Sequence, residues 1–177
     1  RPASVVKELL ENALDAEATS VQVKADLGGQ RLISIRDDGI GMSPEDARLA
    51  FEHHATSKLA TFEDLSCINT LGFRGEALPA IASISRLRLR TVEPAENGAQ
   101  MAPGTEVRYE GGELRDTRQI SWPQGTEVEV RDLFFNVPVR RKFLKTTSTE
   151  LSHISRQITH YALAHPEVEF VFHHGGR

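Results

Sequence analysis

An amphipathic stretch near the start, VVKELLENALDAEAT from Val5 to Thr19, does most to limit what these 177 residues can fold into. At 3.6 residues per turn, Val6, Leu9, Leu10, Ala13 and Leu14 gather on one side of a helix. Glu8, Asn12 and Asp15 follow at i, i+4 and i+7 on the other, so a carboxylate stands one turn before a carboxamide. Ser4 is the expected N-cap, with Lys7 where a capping box would carry Glu or Gln. The plain reading of the polar stripe is a solvated face. Asn12 speaks against it, because Asn is a poor mid-helix residue and a surface helix gains nothing from it.

Two alternating runs follow, Ser20 to Asp26 and Arg31 to Arg36, joined through Gly28-Gly29 in the manner of a hairpin. Pro44 to Glu52 reads as a short helix capped by Ser43, and Thr61 to Ile68 as a helical turn or two. A helix is expected from about Gly75 to Ile84, with Pro79 either kinking it or falling in its first turn. Strands are expected at Arg86 to Val92, Thr105 to Glu110, Glu113 to Ile120 and Thr126 to Arg131. A long amphipathic helix from Thr147 to His165 precedes a last strand, Glu167 to His173, and Gly175-Gly176 has the look of a hairpin turn. This order does not alternate as parallel βαβ units do. It predicts an α+β fold, a two-layer sandwich of helices on one mixed, mainly antiparallel sheet.

Three short motifs carry chemistry. The helix stripe supplies Glu8 and Asn12. The second run ends in Asp37-Asp38-Gly39-Ile40-Gly41-Met42, where glycines two apart admit close backbone approach and an Asp can accept from an amino group, although Asp-Gly is also ordinary turn chemistry. Leu71-Gly72-Phe73-Arg74-Gly75-Glu76-Ala77-Leu78 is a glycine-bounded loop running into a helix, whose free N–H groups suit an anion. In that order the three resemble the nucleotide-binding motifs of the ATPase superfamily of DNA gyrase, the heat-shock chaperone, histidine kinases and MutL. RPASVVKELLENALDA, RDDGIGM, HATSK, LGFRGEAL and GTEVEVRDLFFNVPVRRKFL further resemble the N-terminal ATPase domain of MutL-type DNA mismatch repair proteins, from Arg1 to at least Leu144. Val137 and Val139 depart from the family's usual residues.

The resemblance implies a Bergerat-type ATP-binding fold and a Mg²⁺-dependent ATPase. Glu8 would be its catalytic base toward water and Asn12 the magnesium ligand. Asp37 would accept from the adenine amino group, where guanine presents a carbonyl. Gly39 and Gly41 would let the backbone close over the base. Thr56, Ser57 and Lys58 would form a lid, Gly72, Phe73, Arg74, Gly75 and Glu76 a phosphate cradle, and Thr126 a further adenine-side contact. Glu8 and Asn12 are expected in one pocket with Asp37, and Glu8 on the order of 10 Å from Asp37. Residues 1–177 are expected to be a single ATP-binding domain, truncated at both ends relative to the family's ATPase fragment and therefore weak in turnover. The expected partners are ATP, DNA bound weakly through the full-length protein, a mismatch-recognition protein, downstream repair enzymes, and a second copy in an ATP-dependent homodimer that forms a clamp. A topoisomerase ATPase domain and a nucleotide-gated interaction module without useful turnover are the rival readings.

Composition sets the remaining bounds. Apolar residues at 39% and charged residues at 26% describe a globular chain. Its apolar runs are too short to cross a membrane and its first residues do not resemble a signal peptide, so the cytoplasm is expected, at the nucleoid if the source is bacterial. Cys67 is the only cysteine, which rules out an internal disulfide. His53-His54 and the pair His153 and His160 lack the company a metal site needs. A net charge of −4 is unlike that of a dedicated DNA-binding domain. Two basic groups stand out all the same: Arg140, Arg141, Lys142 and Lys145 in one cluster, and Arg86, Arg88 and Arg90 along one strand face.

Overall fold

The structure is a computed structural model that describes residues 1–52, 77–94 and 103–175. The opening helix, α1 (Pro2–Asp15), starts earlier than the apolar pattern implies, with Arg1 at the N-cap position, no side-chain cap and Pro2 in the first turn. Proline fits there because its φ is already helical and its missing N–H would have had no partner. Ser4 is thus inside the helix and does not cap it. Val5, Val6, Leu9, Leu10 and Ala13 are buried, as the periodicity requires.

Seven strands build one sheet: β1 (Ser20–Asp26), β2 (Leu32–Asp37), β3 (Arg86–Val92), β4 (Gly104–Glu110), β5 (Glu113–Ile120), β6 (Gly125–Arg131) and β7 (Glu169–His174). Their order is β5-β4-β3-β6-β2-β1-β7. Neighbours are antiparallel except β1 and β7, which run parallel. A parallel neighbour needs a crossover. Helix α5 (Thr147–Ala164) supplies it, packing on α1 as it returns the chain to the edge of the sheet. Shorter helices are α2 (Pro44–Leu49), α3 (Ala77–Ala82) and α4 (Pro138–Lys142). Ser43 caps α2 as expected, its Oγ accepting from Asp46 N–H at 3.0 Å. The β1–β2 connection is a 3₁₀ turn, Leu27–Gly29. Thr61 to Ile68 lies outside the described residues.

Cross-strand register explains the core. Phe172, Val23, Ile35, Val128, Leu89 and Val107 are successive partners across six strands, forming one apolar row beneath the helices. Two residues along each strand the same face turns polar: Asp37, Thr126, Thr91 and Thr105 are all buried there. The opposite face carries charge. Arg88 pairs with Glu129 at 2.8 Å, Arg90 with Glu106 at 2.7 Å, and Glu106, 1% exposed, also takes Arg108 and Arg118. Arg86 pairs with Glu110 and Asp132. Arg86, Arg88 and Arg90 therefore share a face as predicted, but as half of an ion-pair lattice.

Candidate nucleotide site

The buried polar row ends at Asp37, the last residue of β2, which is 8% exposed. Its Oδ1 accepts from Gly39 N–H at 3.0 Å and Thr126 N–H at 3.3 Å. No hydrogen bond reaches Oδ2 among the described residues. Burial pushes the Asp37 carboxyl up to about 6, against the pull of those two N–H donors. A carboxylate of this kind, with one oxygen satisfied and the other open, fits an amino donor such as that of adenine. Next to it, Thr126 Oγ1 and Thr91 Oγ1 lie 2.9 Å apart, and Thr91 Oγ1 accepts from Met42 N–H at 2.9 Å.

The loop after Asp37 is wedged between two backbones. A Cβ on Gly39 would strike the carbonyl oxygen of Ala16, and one on Gly41, whose φ is +66°, would strike that of Val92. Both glycines are thus needed for packing within the fold, apart from any approach to a ligand. Ile40 N–H donates to Ala16 O at 2.9 Å, which ties the loop to the end of α1. Asp38 fixes the same loop to the start of β1 by accepting from Thr19 N–H, Thr19 Oγ1 and Ser20 N–H. Desolvation works against the Asp38 carboxylate, but these donors outweigh it and hold its pKa below the usual value.

Glu8 lies farther back along α1. It is half-buried and lines a cavity of about 590 Å³ with Ser4, Val5, Ala77, Ile81, Phe134 and Arg140, among others. Ala77 opens α3 and directly follows the glycine loop, so the helix start expected to face phosphates shares a cavity with Glu8. Glu8, Asn12 and Asp37 do not share that cavity among its described lining. Asn12 is exposed one turn on, and Asp37 lies at the Ala16 end of α1. Eight residues separate Glu8 from Ala16, about 12 Å along a helix axis. Neither Glu8 nor Asn12 has a hydrogen bond or ion pair from its side chain among the described residues. Thr56, Ser57, Lys58, Gly72, Phe73, Arg74, Gly75 and Glu76 lie outside them, as do His53, His54 and Cys67.

Asp38, Thr91 and Arg140 are parts of this region for which sequence reasoning offered no role at the site. Thr91 had a signal, since it takes a buried position in the alternation RLRLRT. Nothing local marked Asp38 apart from Asp37. Among the described residues no group of three or more His, Cys, Asp or Glu could hold a metal, and no helix is long and apolar enough to cross a membrane.

Residues 1–122 match the family described as histidine kinase-, DNA gyrase B- and HSP90-like ATPases. The chain is 56% identical over 173 residues to the DNA mismatch repair protein MutL of Acidobacterium capsulatum, covering 98% of this chain and 25% of that protein. To MutL of Anaeromyxobacter dehalogenans it is 55% identical over 177 residues, covering 100% of this chain and 28% of that protein. It thus spans about a quarter of the length of these curated relatives. Among solved structures, the Aquifex aeolicus MutL ATPase domain complexed with ADP is 41% identical with a TM-score of 0.78, covering 100% of this chain and 61% of that one. The N-terminal domain of a DNA repair protein is 28% identical with a TM-score of 0.79, covering 97% and 48%. The motifs, the sheet with its helices and these matches agree: the chain belongs to the histidine kinase-, DNA gyrase B- and HSP90-like ATPases, and over its whole length it is similar to the MutL ATPase domain.

Proposed function

We propose that residues 1–177 form one ATP-binding and ATP-hydrolysing domain of a MutL-type mismatch repair protein that acts in the cytoplasm. The observation that carries this reading is Asp37: a buried carboxylate with one oxygen held by two backbone N–H groups and the other open. Asp37 selects adenine through the amino group, and a guanine carbonyl at that place would set acceptor against acceptor at about 1–3 kcal/mol. Thr126 lies beside it on the adenine side. Glu8 orients a water for attack and takes up its proton, as phosphoryl transfer requires positioning and charge stabilisation more than bond formation by the protein. Asn12 offers a carboxamide oxygen to Mg²⁺, which when bound neutralises phosphate charge and needs only one or two protein ligands. The lid from Thr56 to Lys58 and the cradle from Gly72 to Glu76 are assigned by resemblance. In the full-length protein, nucleotide-driven lid closure would bring two copies together as a clamp on DNA and pass the signal from a mismatch-recognition protein to downstream repair enzymes.

Melting with and without Mg-ATP and Mg-GTP, beside steady-state phosphate release, tests the reading. Stabilisation by ATP over GTP with measurable release supports it. Stabilisation without release would leave a nucleotide-gated interaction module, and no stabilisation would sink the assignment.

A further inference from the structure

The geometry points to Thr91 as a positioning residue that sets which way the Thr126 hydroxyl faces, and so makes the adenine site read a ring nitrogen as well as the amino group. This rests on the adenine reading of Asp37. Thr91 is fully buried at the end of β3, and its Oγ1 already accepts the Met42 N–H at 2.9 Å. A hydroxyl that accepts a hydrogen bond becomes a better donor, because the chain of bonds polarises in one direction. The proton between the two threonines, 2.9 Å apart, therefore belongs to Thr91, which donates to Thr126 Oγ1. Thr126 then has its own proton left to offer. Its backbone N–H is committed to Asp37 Oδ1, and the register that pairs Arg36 with Glu127 puts Asp37 and Thr126 side by side on one face of the sheet.

Asp37 Oδ2 as acceptor and Thr126 Oγ1 as donor form a pair. They match adenine, whose amino group donates and whose neighbouring N1 accepts. Guanine reverses both, with an oxygen where adenine has the amino group and an N–H where it has N1. Without the Thr91 hydroxyl, the Thr126 proton is free to turn and the donor half of the code is lost.

The test compares affinities for ATP and 1-deaza-ATP, which lacks the N1 acceptor, in the wild type, Thr91→Val, Thr91→Ser and Asp37→Asn. Wild type should prefer ATP by about five- to tenfold, the effect of one hydrogen bond. Thr91→Val should lower that preference to less than about twofold, and Thr91→Ser, which restores the hydroxyl, should return it. A fold defect would weaken both nucleotides alike and leave their ratio intact. A ratio unchanged in Thr91→Val overturns the proposal while the adenine reading stands, provided Asp37→Asn loses ATP affinity. Equal wild-type affinity for the two nucleotides also overturns it, and if Asp37→Asn then binds ATP normally, the adenine reading falls with it.

Discussion

Asp37 combines a cost and a use in one side chain. Its carboxyl titrates near 6, above an ordinary value of 3.8, because burial disfavours the charge more than two N–H donors favour it. The folded state therefore holds this proton more tightly than the unfolded chain does. Stability from this group is fullest below about pH 4 and is lost as pH rises through about 6, leaving a penalty of up to about 3 kcal/mol at pH 8. Asp37→Asn should accordingly raise the melting temperature at pH 8 and have little effect at pH 4, while weakening ATP binding. A variant less stable than wild type at pH 8 would refute the burial argument. ATP affinity of the wild type should fall as pH drops through about 6, since the protonated carboxyl is a poorer acceptor. Glu8 calls for the opposite separation: Glu8→Ala should keep nucleotide affinity and lose about 10²–10⁴-fold in turnover, as single-turnover phosphate release would show. Asn12→Ala should weaken binding instead. The residues proposed for these roles stand in local patterns, an i, i+4 pair and an Asp-x-Gly-x-Gly string, and it is the resemblance of those patterns to a family's motifs that suggests the roles. The Thr91 partnership was not legible in this way, because it joins residues 35 and 49 positions apart that only the sheet brings together.

At the scale of elements, the alternating runs marked β1, β3 and β5 to the residue and the other strands to within about two positions. Periodicity marks which residues share a face, and so it placed Arg86, Arg88 and Arg90 on one side of β3. It carries no information about which strand lies next to which. The insertion of β6 between β3 and β2, and the parallel pairing of β7 with β1, are long-range choices. So is the fate of the arginines, whose carboxylates come from β4, β6 and Asp132 just after β6. Glu106 joins this lattice, holding Arg90, Arg108 and Arg118 while itself 1% exposed. Glu106→Ala should destabilise the fold by about 1.5–3 kcal/mol, the range for lost hydrogen bonds between charged groups, because it leaves the part-buried Arg90 with only Glu127, at 3.4 Å, and takes the carboxylate from two outer cations. Arg118→Ala removes a half-exposed partner and should cost less than about 1 kcal/mol. Urea unfolding of the two variants checks the contrast, and equal effects would mean that Glu106 is no hub.

For the molecule as a whole, the two basic groups of the sequence have separate fates. The strand arginines are paired with carboxylates, whereas Arg140, Arg141, Lys142 and Lys145, on α4 and the turn after it, are exposed with no ion pair among the described residues. Phe143, 77% exposed, stands among them. In a chain of net charge −4 this is a local positive field on an acidic body. Duplex DNA should feel it at short range, so binding by the isolated chain should be weak and strongly salt-dependent. Each phosphate contact contributes about 0.9 to the slope of log affinity against log salt. Reversing Arg140, Arg141 and Lys142 to Glu should therefore flatten the slope as well as lower the affinity, whereas Arg118→Ala, which removes a cation ion-paired to Glu106, should change neither. Because Arg140 also lines the cavity that holds Glu8, the same variant should be assayed for phosphate release without DNA, which separates lost DNA contacts from a disturbed site. Unchanged DNA binding in the triple variant would make α4 a solvated face, and any duplex affinity of this chain would then have to come from another surface.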